Sequence, residues 1–192
     1  MKVYDGVLGP KSLGLLQTEV VYNNLFPWNF IVTTEKKNSY SIFDYSFAHI
    51  ALHDEKPISP MFNVVNPILT GVFEKLGIEF KKFLRFRFAL QTPIDREYLN
   101  EIHIDSNKPH KSAIFYLNNS DGNTILYSNR YDPDSFISGA DYKKRIGTDN
   151  FVILQEVEPI ENRLLVFDGF HYHRSQRPTN HPSRIILNIN FV

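Results

Sequence analysis

The sequence has no cysteine among its 192 residues. Disulfides, thiolate nucleophiles, iron–sulfur clusters and cysteine-based zinc sites are thereby excluded. An excess of charge of either sign is also lacking, since 21 Lys and Arg stand against 21 Asp and Glu. A chain-wide field that would gather nucleic acid or an acidic membrane is therefore not expected. No stretch reaches the roughly 18 uninterrupted apolar residues of a membrane-spanning helix. The opening segment, MKVYDGVLGPKSLG, puts no apolar run behind Lys2 and so does not have the form of a secretory signal. The expected location is the cytoplasm. Internal repeats, linkers and low-complexity runs are missing as well.

What the chain does have is apolar and aromatic bulk: 42% hydrophobic residues, with 16 Phe and 10 Tyr. That is enough to build one well-packed domain over residues 1–192. Its period divides it in two. From about residue 11 to 80 the reading is mostly helical, with Ser12 a cap for a helix running to Asn24. A second helix is expected between Ser59 and Leu76, where Met61, Phe62, Val65, Leu69, Val72, Phe73 and Leu76 recur at helical spacing. Pro67 would restart or kink that helix, and Gly77 would end it. After residue 80 the period becomes 2. In Phe83–Thr92, Leu84, Phe86, Phe88 and Leu90 alternate with Arg85, Arg87, Ala89 and Gln91, as in a half-buried strand. Further strands are expected at 113–117, 124–127, 151–157, 163–167 and 184–192, with Ser120–Asn123 a hairpin turn between two of them. Many short strands separated by turns favour a β-sandwich or barrel, with the N-terminal helices packed on it.

The chemistry begins at Glu101-Ile102-His103-Ile104-Asp105. Residues two apart on an extended chain point the same way, so His103 and Asp105 can grip one metal ion. A lone His-x-Asp pair is a weak signal, and His53-Asp54-Glu55 is a rival. Some 70 residues on, Arg163–Asp168 reads as a strand ending at the Asp168-Gly169 turn, followed by His171-Tyr172-His173. Two histidines and a carboxylate make the facial triad of non-haem iron sites. His173 is the third ligand in this reading, with His171 the fallback should the strand be regular. Arg184 follows eleven positions later and opens the last strand, where it shares a face with Ile186, Asn188 and Asn190. A guanidinium directed into a β-core needs an anion, either a bound carboxylate or a structural acid.

Taken in this order, His-x-Asp, distal His and an Arg about ten residues beyond resemble the 2-oxoglutarate/Fe(II) dioxygenase superfamily. The similarity is greatest to its prolyl-hydroxylase-like members, including those carried by bacteriophages. Ile114-Phe-Tyr-Leu-Asn118 with Asp121-Gly-Asn-Thr124, and Asn162–Gly169, are similar to that group's strand, turn and lead into the distal His. Phe26-Pro27-Trp28 is a weaker likeness. The resemblance implies a double-stranded β-helix (jelly roll) over about residues 81–192 and a helical support before it. It also implies Fe(II) on His103, Asp105 and His173. The cosubstrate 2-oxoglutarate would lie on Arg184 with Tyr116, and Asn188 on the same face would also touch it. O2 and an unidentified small-molecule or peptide substrate complete the set of partners. The activity implied is hydroxylation, coupled to decarboxylation of 2-oxoglutarate. Members of the prolyl-hydroxylase-like group often carry Lys where this chain has Arg184.

For the substrate, Arg85 and Arg87 share a strand face and would reach a carboxylate or phosphate, unless they pair with nearby acids. Arg130 belongs to residues 128–150, a connection long enough to be a lid or a surface insertion. Phe115, Tyr127 and Phe170 are candidates for the pocket wall. Two rival readings remain. One is a cupin-like metal enzyme that does not use 2-oxoglutarate; the other is a jelly-roll binding protein without catalysis.

Overall fold

The computed structural model describes residues 1–32 and 45–192. The chain opens with β1 (Lys2–Tyr4) and then α1 (Pro10–Leu16), which runs on into a π-helical turn, Gln17–Val21. Gly9, not Ser12, stands at the N-cap, and Pro10 takes the first turn, where its missing N–H has no partner to lose. Two strands follow, β2 (Asn29–Val32) and β3 (Tyr45–His53), with the short β4 (Lys56–Pro57) pairing on β3. The helical expectation for residues 11–80 is thus corrected: only α1 and α2 (Met61–Lys75) are α-helices there. The part of that expectation covering residues 33–44 lies outside the described residues. The strand β3 escaped notice because both its faces are covered and a bulge between Ile50 and Leu52 shifts its phase.

Helix α2 buries Val65, Leu69, Val72 and Phe73, one stripe at helical spacing. It runs through Pro67 without restarting. At its end Gly77 takes φ +61°, a left-handed conformation that glycine adopts without a Cβ penalty. The Gly77 N–H then donates to Glu74 O and the Ile78 N–H to Phe73 O, which satisfies two carbonyls the helix would otherwise orphan.

The β-rich half follows the expected period. It comprises β5 (Phe83–Gln91), β6 (Lys111–Tyr116), β7 (Thr124–Arg130), β8 (Ile153–Val157), β9 (Leu164–Asp168), β10 (His171–Ser175) and β11 (Arg184–Phe191). These and the N-terminal strands make two antiparallel sheets. The larger runs β1-β9-β6-β11-β5-β3-β2, with β4 on β3, and the smaller runs β10-β7-β8. This is a double-stranded β-helix. A bulge where β5 meets the end of β11 puts Phe83 rather than Leu84 in the core.

Three apolar layers hold the sheets in place. Outside the large sheet, α1 and α2 cover Phe83, Phe86, Phe88, Ile185, Leu187, Ile189 and Phe191. Phe73 sits at their centre, its ring 4.9 Å from that of Phe191 and 5.2 Å from that of Phe83. Between the sheets lie Ile114, Tyr116, Leu126, Val157, Leu165, Phe167 and Ile186. Beyond the small sheet, Ile125, Tyr127, Tyr131 and Tyr172 pack under α3 (Gly139–Ile146). Among the described residues no helix is long and apolar enough to cross a membrane.

One turn differs from expectation. Strands β6 and β7 lie in different sheets, so Ser120–Asn123 is a crossover and not a hairpin turn. Gly122 is required there for close approach: a Cβ on it would lie 2.5 Å from Gln176 O and 3.0 Å from the Arg184 Cδ. Because one of those neighbours is backbone, Gly122→Ala is expected to lower stability by about 1–3 kcal/mol, read from the urea midpoint. An unchanged midpoint would mean that the crossover yields freely.

Candidate metal centre and its cavity

His103 and His173 face each other across an antiparallel bridge, each N–H donating to the other's carbonyl at 2.9 Å. The chain from Leu99 to His103 thereby runs beside β10 as an irregular fourth strand of the small sheet. Asp105, two residues beyond His103, completes the cluster. The ligand atoms of His103, Asp105 and His173 all lie within 4.8 Å of one another, a spacing that suits one ion.

The ring orientations fit a metal. His103 Nδ1 lies 3.0 Å from Glu101 O, and His173 Nδ1 lies 3.2 Å from His171 O. A carbonyl only accepts, so both Nδ1 atoms carry the proton and both Nε2 atoms keep a free lone pair. Burial, helped by the neighbouring His103, pulls the His173 pKa down to about 4 against the opposing pull of Asp105. The imidazole is therefore neutral and ready to ligate at neutral pH.

Asp105 is a buried carboxylate with four side-chain donors, its side chain 5% exposed. Its Oδ1 accepts from Arg85 at 2.6 Å. Its Oδ2 accepts from Ser112 at 2.9 Å, Asn190 at 2.9 Å and Asn188 at 3.1 Å. Burial alone would raise its pKa; Arg85 first, then the two histidines and Asn190, hold it well below the usual carboxylate range.

Arg184 lies in the same cavity and is 2% exposed. Its Nε donates to Gly122 O at 2.6 Å and its Nη2 to Thr124 Oγ1 at 2.7 Å. The Tyr116 hydroxyl bonds the same Thr124 oxygen at 2.7 Å, and the Tyr116 ring lies 5.6 Å from the guanidinium. Burial lowers the Arg184 pKa, yet a guanidinium stays protonated in any accessible solvent. Among the described residues no carboxylate pairs with it. The cavity, about 390 Å³, is lined by the three candidate ligands, Arg87, Gln91, Thr124, Arg184 and apolar residues such as Ile114 and Ile186.

No protein-family model matches the chain, and no curated protein matches it in sequence. Solved structures do match. A prolyl-4-hydroxylase from Pseudomonas putida superposes with TM-score 0.59 at 16% identity, covering 99% of this chain and 91% of that one. A 2OG-Fe(II) oxygenase-family oxidoreductase from Burkholderia pseudomallei gives TM-score 0.66 at 10% identity, over 97% and 81% of the two chains. A Streptomyces hygroscopicus protein with nickel and 2-oxoglutarate bound gives 0.57 at 15% identity, over 98% and 81%. The fold is that of the 2-oxoglutarate/Fe(II) oxygenases.

Within this oxygenase fold several expected site residues stand elsewhere. Arg85 does not face a substrate but is bound to Asp105 and, at 2.8 Å, to Asn188 Oδ1. Asn188 lines the cavity, as expected, and also donates to Asp105. Tyr116 does not line the cavity and acts on Arg184 from behind. Arg130 is half-exposed and paired with Asp168 at 2.7 Å, away from the cavity. Phe115, Tyr127 and Phe170 belong to the apolar layers instead of the cavity wall. A bulge between His171 and His173 breaks the regular strand, and His171 Nδ1 is tied to Tyr127 O at 2.9 Å. His53 and Asp54 are exposed and 3.7 Å apart, and among the described residues no third ligand is grouped with them.

Residues 128–150 contribute nothing to the cavity wall. Instead α3 buttresses the ligand segment. Lys143 Nζ donates to Ile102 O at 2.9 Å and Glu101 Oε2 at 3.0 Å, and the Gly139 N–H donates to Asn107 Oδ1 at 2.9 Å. Ser112, Asn190, Thr124 and Lys143 had not been assigned to the site. The Gly-x-Thr turn and the face that Asn190 shares with Arg184 are the available signals for two of them, Thr124 and Asn190.

Two outcomes are expected. Lys143→Ala should weaken Zn(II) or Mn(II) binding about 10–100-fold in calorimetric titration, as loss of outer-shell support does; unchanged affinity would dismiss the buttress. For the metal-free protein, the depressed His173 pKa adds stability that is present above pH 6.5 and lost as pH falls toward 4. Wild type should therefore lose on the order of 3 kcal/mol more than His173→Gln across that window in urea titrations. Equal losses would refute the assignment.

Proposed function

We propose that this chain is an Fe(II)- and 2-oxoglutarate-dependent oxygenase that hydroxylates a small molecule or the side chain of a protein or amino acid, with a prolyl ring among the candidates. The observation that carries this reading is Arg184, a fully buried cation without a carboxylate partner among the described residues, opening into the cavity that His103, Asp105 and His173 share. A buried guanidinium without an anion is costly, and its planar fork matches a carboxylate. A facial triad alone suits several metal enzymes; a triad with a waiting carboxylate site suits a metal that shares its coordination with a dicarboxylate.

The donor set fits Fe(II): two neutral imidazoles and one ionised carboxylate on one face leave the remaining positions open. Bound together, Fe(II), 2-oxoglutarate and O2 supply an oxidant strong enough to hydroxylate an unactivated C–H bond. The chain's own contribution is positional. Thr124, Gly122 and the Tyr116 ring fix the Arg184 guanidinium, so that the far carboxylate of 2-oxoglutarate meets a preset fork. Arg85, Ser112, Asn188 and Asn190 fix Asp105, which limits the ways the metal can move. Ile114 and Ile186 keep the wall between the two ends apolar and dry.

The test is anaerobic titration with Fe(II) and 2-oxoglutarate, following the weak visible charge-transfer band of the chelate. The band is expected in wild type and absent in His173→Ala and Arg184→Ala. Metal binding without the band would favour a cupin-like enzyme that does not use 2-oxoglutarate. Absence of metal binding would make the jelly roll a binding protein.

A further inference from the structure

Two further arginines line the cavity and are not used by the proposed chemistry: Arg174, whose guanidinium lies 5.5 Å from the Tyr127 ring, and Arg87, which has no such platform. Arg87 lies on the same face of β5 as Arg85, Ala89 and Gln91, and it lines the cavity with the ligands. Its neighbours across the sheet are Asn188 on β11 and Ile50 on β3, neither of them acidic. Among the described residues it has no ion pair and no hydrogen-bonding partner for its side chain. It is half-buried. Burial and the nearby Arg85 both disfavour its charge, and Asp105 offsets them only weakly.

Accounting for charge isolates it. Asp105 is answered by Arg85 and Glu101 by Lys143. In the reading above, the far carboxylate of 2-oxoglutarate answers Arg184. Asp105 is already answered by Arg85, so of the metal's two charges only one is met, by the near end of the cosubstrate. Arg87 is left over, and the loaded cavity keeps a positive excess.

Position separates Arg87 from Arg184. Gln91 pairs with Arg184 across β5 and β11, whereas Arg87 pairs with Asn188 at the Asp105 end. Four steps along the strand separate the two positions, roughly 13 Å at 3.3 Å per residue. Ala89 and Ile186 occupy the interval. One small dicarboxylate reaching from the metal to Arg184 therefore leaves Arg87 unserved, at the Asp105 end of the cavity, where its neighbours across the sheet are Asn188 and Ile50.

We infer that Arg87 binds an anionic group of the substrate, a carboxylate or a phosphate, and so selects oxyanion-bearing substrates and holds their C–H bond beside the metal. The inference rests on the oxygenase reading for the second anion at Arg184. With a volume of about 390 Å³ the cavity is near the low end of ligand sites, roughly 300–1,000 Å³, so the substrate enters as a small molecule or by one side chain.

The experiment is oxygen-free equilibrium dialysis of the chain loaded with Mn(II) and 2-oxoglutarate. The probes are N-acetylglycine, inorganic phosphate and the uncharged N-acetylglycinamide. At least one anion is expected to be retained and the amide not. Arg87→Gln should lower anion retention at least tenfold at an unchanged thermal midpoint, with Arg87→Lys restoring part of it. A preference for N-acetylglycine identifies a carboxylate substrate, and a preference for phosphate identifies a phosphorylated one. Retention of neither anion, equal retention of the amide, or wild-type retention by Arg87→Gln overturns the inference. So does loss of 2-oxoglutarate in Arg87→Gln but not in Arg184→Gln, which would make Arg87 the cosubstrate's own arginine. The oxygenase reading fails separately, if wild type retains the anions through Arg87 but never retains 2-oxoglutarate.

Discussion

A carboxylate removed from water is the constraint around which this molecule is arranged. Asp105 remains ionised in a setting that by itself would neutralise it, because a guanidinium, a hydroxyl and two amides converge on its oxygens. Each donor comes from a different place in the sequence: β5, the first turn of β6, and two positions of β11. The register of three adjacent strands is therefore written into the bonding of one side chain. A slip by one residue would send all these donors to the opposite face, and with them the anion. Arg85 supplies a positive partner that a cation would otherwise have to provide.

The two histidines obey a different logic. They are held through their backbones, paired across a two-residue bridge, and aimed by Nδ1 bonds to carbonyls of their own segments. Nothing distant is needed to orient them beyond the bridge itself. The distant support lies under Ile102, where the Lys143 ammonium reaches up from α3. A helix capped by Ser138, whose hydroxyl accepts from the Asp141 N–H at 3.1 Å, thus presents its one buried lysine to the ligand segment.

Much of this was legible in the residues, and the exceptions have physical causes. The strands after residue 80 announce themselves because one face meets the core and the other meets polar groups, so the period of 2 survives. His103 and Asp105 are readable since their relation is local. His173 and Arg184 are readable because strand and turn residues fix their spacing. Contacts that depend on long-range register are not readable: sequence cannot say that Arg85 meets Asp105 while Arg130 meets Asp168. Bulges defeat phase counting in the same way. One hides β3, and another turns His171 aside from the candidate metal centre. Residues 128–150 looked free because their apolar content is aromatic and scattered, and it gathers only when Tyr131, Tyr142, Phe151 and Tyr172 fold together.

All eight residues of β11, Arg184–Phe191, are buried. One face fills the layer beneath the helices, and the other carries the arginine, the two asparagines and Ile186 of the cavity. Such a strand has no neutral position, since every residue belongs either to packing or to chemistry. Sequence drift there is blocked twice over. Diversification of a scaffold of this kind therefore falls to the rim formed by β2, β3 and the open face of β5, where a changed side chain alters what the cavity admits without disturbing what holds it together.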